Sequence, residues 1–233
     1  MNKQITIQLL ILILLSGCSL GLRTYPDIEY SELQPSVVVA IPQKVRYLSR
    51  GEENDSGDCP DKESFECMTI YLDPPPLAVK YRILKQAYGP SLPKSIEVAT
   101  PSHYGLDTYD LKNKIPEIIL IGSKGGNYIL PRYYRVGALK LSDGRYVVPI
   151  YKEDTLWYFP CSISEEIKPV NFGKLEEPYS IPLERITDDE RKSKYIKIES
   201  NKVLPSHGIF LEDIKTYLDK LSPKIEEFEC NRK

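Results

Sequence analysis

From Ser36 to Val203 the chain is a succession of short apolar or alternating runs, each ended by proline, glycine or a polar cluster. Runs of this length are too short and too evenly interrupted for stacked helices, and they restrict the chain to β architecture. Leu77, Val79, Tyr81 and Ile83 alternate with Lys80 and Arg82, the pattern of a strand with one face on a core. Ser36–Leu48 opens with Val37-Val38-Val39-Ala40-Ile41 and continues in alternation through Val45 and Tyr47. Pro42 lacks the N–H that a central ladder needs, so it predicts a bulge or an edge there. Ser95–Thr100 reads as a strand with Ile96 and Val98 on one face, and Ile118–Ile121 as one buried on both. Gly122-Ser123-Lys124-Gly125-Gly126 turns that strand into Tyr128–Leu130. Val136–Leu141 and Arg145–Ile150 flank Ser142-Asp143-Gly144 and predict a hairpin, since Asp-Gly tolerates the positive φ of a tight turn. Leu156–Phe159 ends the series before Cys161, and a proline-rich connection from Pro169 to Pro182 leads to a predicted strand over Tyr195–Val203.

The period changes only near the C-terminus. Phe210, Ile214, Leu218 and Leu221 share one helical face, which predicts a helix over about 209–222 that Pro223 ends. Many short strands, one late helix and no alternation of the two make the fold mainly β and antiparallel, as an OB-like barrel or a β-sandwich with a C-terminal amphipathic helix. Seventeen tyrosines and nineteen prolines suit strands joined by ordered turns. The order of elements is similar to that of netrin and tissue-inhibitor modules. There, a valine-rich first strand precedes a strand ending in Leu-Lys (here Leu84-Lys85), and a cysteine follows the barrel (here Cys161). The likeness spans Val37 to Cys161. It implies an OB-like barrel that binds partners and nominates no catalytic residue.

The N-terminus has its own logic. Lys3 precedes a run, Ile5–Leu15, that is apolar except for Thr6 and Gln8 and closes on Leu15-Ser16-Gly17-Cys18. A membrane span needs about 20 apolar residues, and this run is about half of that. It resembles the signal peptide and lipobox of bacterial lipoproteins. The resemblance implies that residues 1–17 are removed and that Cys18 carries a diacylglycerol thioether and becomes the acylated N-terminus. Two or three acyl chains, at about 0.8 kcal/mol per buried methylene, would hold the protein on a membrane. Ser19 stands where lipoproteins retained in an inner membrane carry Asp, which implies an outer-membrane anchor with the body in the periplasm. Residues 18–35, with Pro26 and Pro35, read as a spacer, and 36–233 as one globular domain.

Removing residues 1–17 takes one charge, Lys3, from a chain of net charge −2 and leaves −3. That balance argues against a nucleic-acid partner, which calls for a clustered basic surface, and against a polybasic membrane patch. The remaining cysteines, Cys59, Cys67, Cys161 and Cys230, are even in number, which in an exported chain predicts two disulfides with three possible pairings. Cys59–Cys67 and Cys161–Cys230 are the favoured pairs, one closing a short acidic loop and the other tying the C-terminus to the body.

Candidate chemistry is sparse. His103 has Asp107 and Asp110 close behind, and His207 repeats its Pro-Ser-His context. A hydrolase built on His103 with either aspartate needs these groups to converge on a nucleophile in space, and adjacency of serine and histidine does not make a triad. Glu52–Glu63 approaches calcium-loop spacing, with Asn54, Ser56, Gly57 and Glu63 at ligand or turn positions. Glu52 in place of the first Asp, Cys59, Pro60 and the missing lead-in helix depart from that pattern. Gly122–Gly126 lacks phosphate-loop spacing. The Tyr133-Tyr134 and Trp157-Tyr158-Phe159 clusters suit either strand faces packed on a core or an aromatic binding surface. The sequence therefore points to a lipid-anchored, non-catalytic binding or assembly module with a membrane and an envelope protein as partners and no cofactor. An envelope hydrolase and a calcium-dependent adhesion module are the alternatives.

Overall fold

The computed structural model describes residues 25–49, 75–101, 111–112, 114–131, 135–152, 161–176 and 179–224. Five strands make the organising sheet: β1 (Gln34–Tyr47), β2 (Leu77–Tyr88), β3 (Ser95–Thr100), β4 (Glu117–Lys124) and β5 (Asn127–Ile129). Their order is β1-β2-β3-β5-β4, and β4 pairs back onto β1, so the sheet closes. Every junction is antiparallel except β3–β5, where Ala99 faces Ile129 in parallel. The result is a closed five-stranded, OB-like barrel, with β6 (Arg135–Gly137) added along β4.

Closure rests on the two apolar runs seen in the sequence. Val37, Val38 and Val39 lie opposite Leu120, Ile119 and Ile118, and all six are buried. Each such side chain contributes about 1.5–3 kcal/mol relative to exposure. β1 is long enough to serve both neighbours because it bends: its register to β2 shifts at Val37/Val38, Val39/Ala40 and Pro42/Lys44. The last shift is the bulge that Pro42 predicts. Bulges of this kind bend and twist a strand, which lets a small sheet close on itself. After β2, Gly89 passes so close to β1 that a Cβ there would lie 2.2 Å from the Pro35 carbonyl oxygen, and its φ is +87°. Tyr25 and Ile28 pack on the core and Leu33 is buried, so the described end of the 18–35 stretch lies along the barrel.

Two smaller sheets follow. β7 (Leu139–Lys140), β8 (Tyr146–Ile150), β13 (His207–Phe210) and β9 (Lys168–Pro169) form one, in that order. β10 (Ile181–Pro182), β12 (Lys202–Pro205) and β11 (Ile196–Glu199) form the other. The helix α1 (Leu211–Leu221) leaves β13 directly and packs against β2, β8 and β13. Lys85 and Glu212 bridge it to β2 at 2.5 Å.

Three expectations are corrected in detail. Tyr195–Val203 is not one strand but most of a hairpin, β11 and β12, turned at Ser200 with φ +56°. Val136 does not belong to the Asp-Gly hairpin arm: β6 pairs with β4, and only Leu139–Lys140 faces β8. On α1, Leu221 is 49% exposed, while Leu211, Ile214, Tyr217 and Leu218 are buried. Tyr217 is buried on the helix face, and its hydroxyl meets that of Ser162.

Candidate functional site

A groove of about 1050 Å³ lies where β9, β11, β12 and β13 meet. Its origin is a divided edge strand. β12, Ser206 and β13 run on as one strand, and its edge is served by β11 along β12 and by β9 along β13. The two halves meet at Ser206. The Val170 N–H donates to the Ser206 carbonyl at 3.0 Å, and the Ser206 N–H donates to the Tyr195 carbonyl at 2.8 Å. Between Val170 and Tyr195 the chain makes an excursion. It crosses over Gly208, where Phe172 lies 3.4 Å from the position a Cβ would take, and passes the end of β7, where Leu175 bridges Leu141. It then returns through β10 on the other edge of β12. Asn171 fixes the departure by accepting the Gly173 N–H at 3.0 Å.

Phe172, Leu175, Ile196 and Leu204 give the groove apolar walls, with Lys197 and Glu199 on β11 as charged groups. His207 lies at its base, with Nδ1 2.8 Å from the Ser206 hydroxyl and its ring 5.4 Å edge-on from Tyr195. In a Ser-His-acid triad the nucleophile meets Nε2 and the acid holds Nδ1. Here the neighbouring hydroxyl meets Nδ1, so Ser206 and His207 form a local polar contact. The groove thus joins an imidazole, a hydroxyl and opposite charges to apolar walls.

A second cluster lies in the barrel wall. Glu117 at the start of β4 accepts from the Tyr81 hydroxyl at 3.2 Å and from Arg135 Nη1 at 3.0 Å. Burial pushes the Glu117 carboxyl above the ordinary glutamate value, against the pull of Arg135 and Tyr81. The cluster ties β2, β4 and β6 together around a Tyr81 side chain with no exposure at all. Sequence reasoning missed it because its members are one residue each on three strands.

Of the candidate catalytic, metal-binding and disulfide residues, only His207 is described fully. Cys18, Cys59, Cys67, Cys230, His103, Asp107, Asp110, Tyr133, Tyr134, Trp157 and the 52–63 loop lie outside the described residues. Cys161 begins a 3-10 turn through Glu166, and its side chain is likewise outside them. Among the described residues no three His, Cys, Asp or Glu side chains converge as metal ligands. No helix among them is long and apolar enough to cross a membrane. The chain matches no protein-family model, no curated protein and no solved structure.

Proposed function

We propose that this protein is a lipid-anchored lipoprotein of the bacterial cell envelope whose β-rich body acts as a non-catalytic binding or assembly module. The observation that carries the reading is the N-terminal pattern, Lys3 followed by an apolar run ending in Leu15-Ser16-Gly17-Cys18. Ser19 favours the outer membrane, with the body in the periplasm. The groove at the divided edge strand supports the binding role, since it joins apolar walls to a few fixed polar groups, as recognition sites do.

The test is in-cell cross-linking of tagged protein in its own envelope beside a Cys18→Ser control. The reading expects acylation and membrane fractionation that depend on Cys18, and one dominant envelope protein that is recovered with the anchored form and lost in the control. An unacylated, unanchored wild-type chain overturns the lipoprotein reading. An anchored chain that recovers no specific partner overturns the assembly role.

A further inference from the structure

Among the described residues no strand pairs with the outer edge of the hairpin β11–β12, and the register sets which groups face outward. The Ser206 N–H bonds the Tyr195 carbonyl, so hydrogen-bonded pairs alternate from there: Lys197 with Leu204, then Glu199 with Lys202. Ile196 faces Pro205 and Ile198 faces Val203 in the intervening pairs. Pro205, which has no N–H, fits only in such a position. The N–H and C=O of Ile196 and Ile198 therefore point away from β12, and no described strand lies beyond them. Ile198 itself is 45% exposed, at the end of an apolar row that runs Ile181–Val203–Ile198 across the sheet. An unpaired edge with an exposed isoleucine is a template for another strand.

The sequence of that edge, Ile196-Lys197-Ile198-Glu199, is complementary to itself when reversed. We propose that two copies of this chain associate through β11, antiparallel and edge to edge, about a two-fold axis at Ile198. In that register each Ile198 exchanges both outward backbone bonds with Ile198 of the second copy, at a Cα spacing of about 5.5 Å. Lys197 of each copy then faces Glu199 of the other, twice by symmetry. The apolar row continues as Ile181–Val203–Ile198 into the same three residues reversed, and the two three-stranded sheets become one of six strands. Glu199, already opposite Lys202 in β12, gains a second lysine on its other side. A contact along a four-residue strand is small, so the association belongs to the weak class. The inference goes beyond the envelope reading and does not depend on the lipid anchor.

Sedimentation equilibrium of the full chain in density-matched detergent, from about 1 μM to 1 mM, tests it. Wild type is expected to pass from monomer to dimer within that range. Lys197→Glu makes the edge wholly acidic and Glu199→Lys makes it wholly basic. Each places like charges opposite one another twice and weakens the dimer by about tenfold or more. An equimolar mixture of the two variants restores both opposite-charge pairs and returns dimer, which shows that neither has merely misfolded. Ile198→Pro removes the outward N–H without a bond to β12 and abolishes the dimer. A chain that stays monomeric to about 1 mM overturns the proposal. So does a dimer indifferent to the single reversals, or a mixture that stays as monomeric as its components.

Discussion

Val170 and Tyr195 meet across a single residue: Ser206 accepts from the Val170 N–H and donates to the Tyr195 carbonyl. In an unbroken antiparallel ladder one residue would supply both groups. Here two segments share the task, and residues of the excursion between them line the groove. The junction is held by single bonds, so it is sensitive to the loss of one. Val170→Pro removes the donor and leaves the Ser206 carbonyl without it, at a cost of about 1–3 kcal/mol. Val170→Ala keeps the bond and costs less. Urea denaturation of both variants checks the order, and hydrogen exchange is expected to quicken around β9 and β13 only in the proline variant.

Two glycines with left-handed backbones separate strain from crowding. Gly126 has φ +83° with nothing within 4 Å of a Cβ, while Gly89 has φ +87° and the Pro35 carbonyl oxygen at 2.2 Å. Gly126→Ala bears only the conformational cost, about 1–2 kcal/mol. Gly89→Ala bears that cost and must also push β1 away from the end of β2, for a total of about 3 kcal/mol or more. Thermal melts of the two variants are expected to differ by several degrees. Equal melting temperatures would mean that β1 yields freely at Pro35.

How much of this was legible follows from where the information lay. β2 and β3 are readable from alternation, β1 and β4 from unbroken apolar runs that end up buried on both faces, and the Pro42 bulge because a missing N–H has a local consequence. The turn between β11 and β12 was hidden because Ser200 adopts φ +56° with no glycine to announce it. Tyr217 was passed over in favour of Leu221 because helical spacing places residues on a face but does not say how far the face extends. The groove was not legible at all. Phe172, Ile196 and Leu204 come from segments that only the divided edge strand brings together, and no local pattern encodes that meeting.

The cysteines yield a prediction from sequence alone. With Cys59–Cys67 and Cys161–Cys230 paired, peptide mapping without reductant is expected to recover those two links and no others. In the chain-entropy account the short loop contributes about 2–3 kcal/mol and the long one about 4. Changing Cys161 and Cys230 together to serine therefore lowers stability more than changing Cys59 and Cys67 together. A crossed link such as Cys59–Cys161 would reject the pairing.

The barrel-wall cluster predicts an inverted pH dependence at one carboxyl. Burial raises the Glu117 pKa in the folded protein above the ordinary value of 4.5, so folding favours its protonated form. Its contribution to stability is complete below about 4.5 and is lost as pH rises through the folded-state pKa. Exposed carboxyls such as Glu32 and Asp143 run the other way: Lys124 and Arg145 hold them below their ordinary values, and they lose stabilisation as pH falls. Glu117→Gln removes only the first trend. The difference in unfolding free energy between that variant and wild type is therefore expected to grow in the variant's favour from pH 4 towards neutrality. Arg135→Met deepens the effect, because it leaves a buried carboxylate without its cation and costs about 3–5 kcal/mol near neutral pH, and less in acid. Urea titrations of the three proteins across that range decide the matter. A flat difference for Glu117→Gln would show that Arg135 and Tyr81 fully offset the burial of the carboxylate.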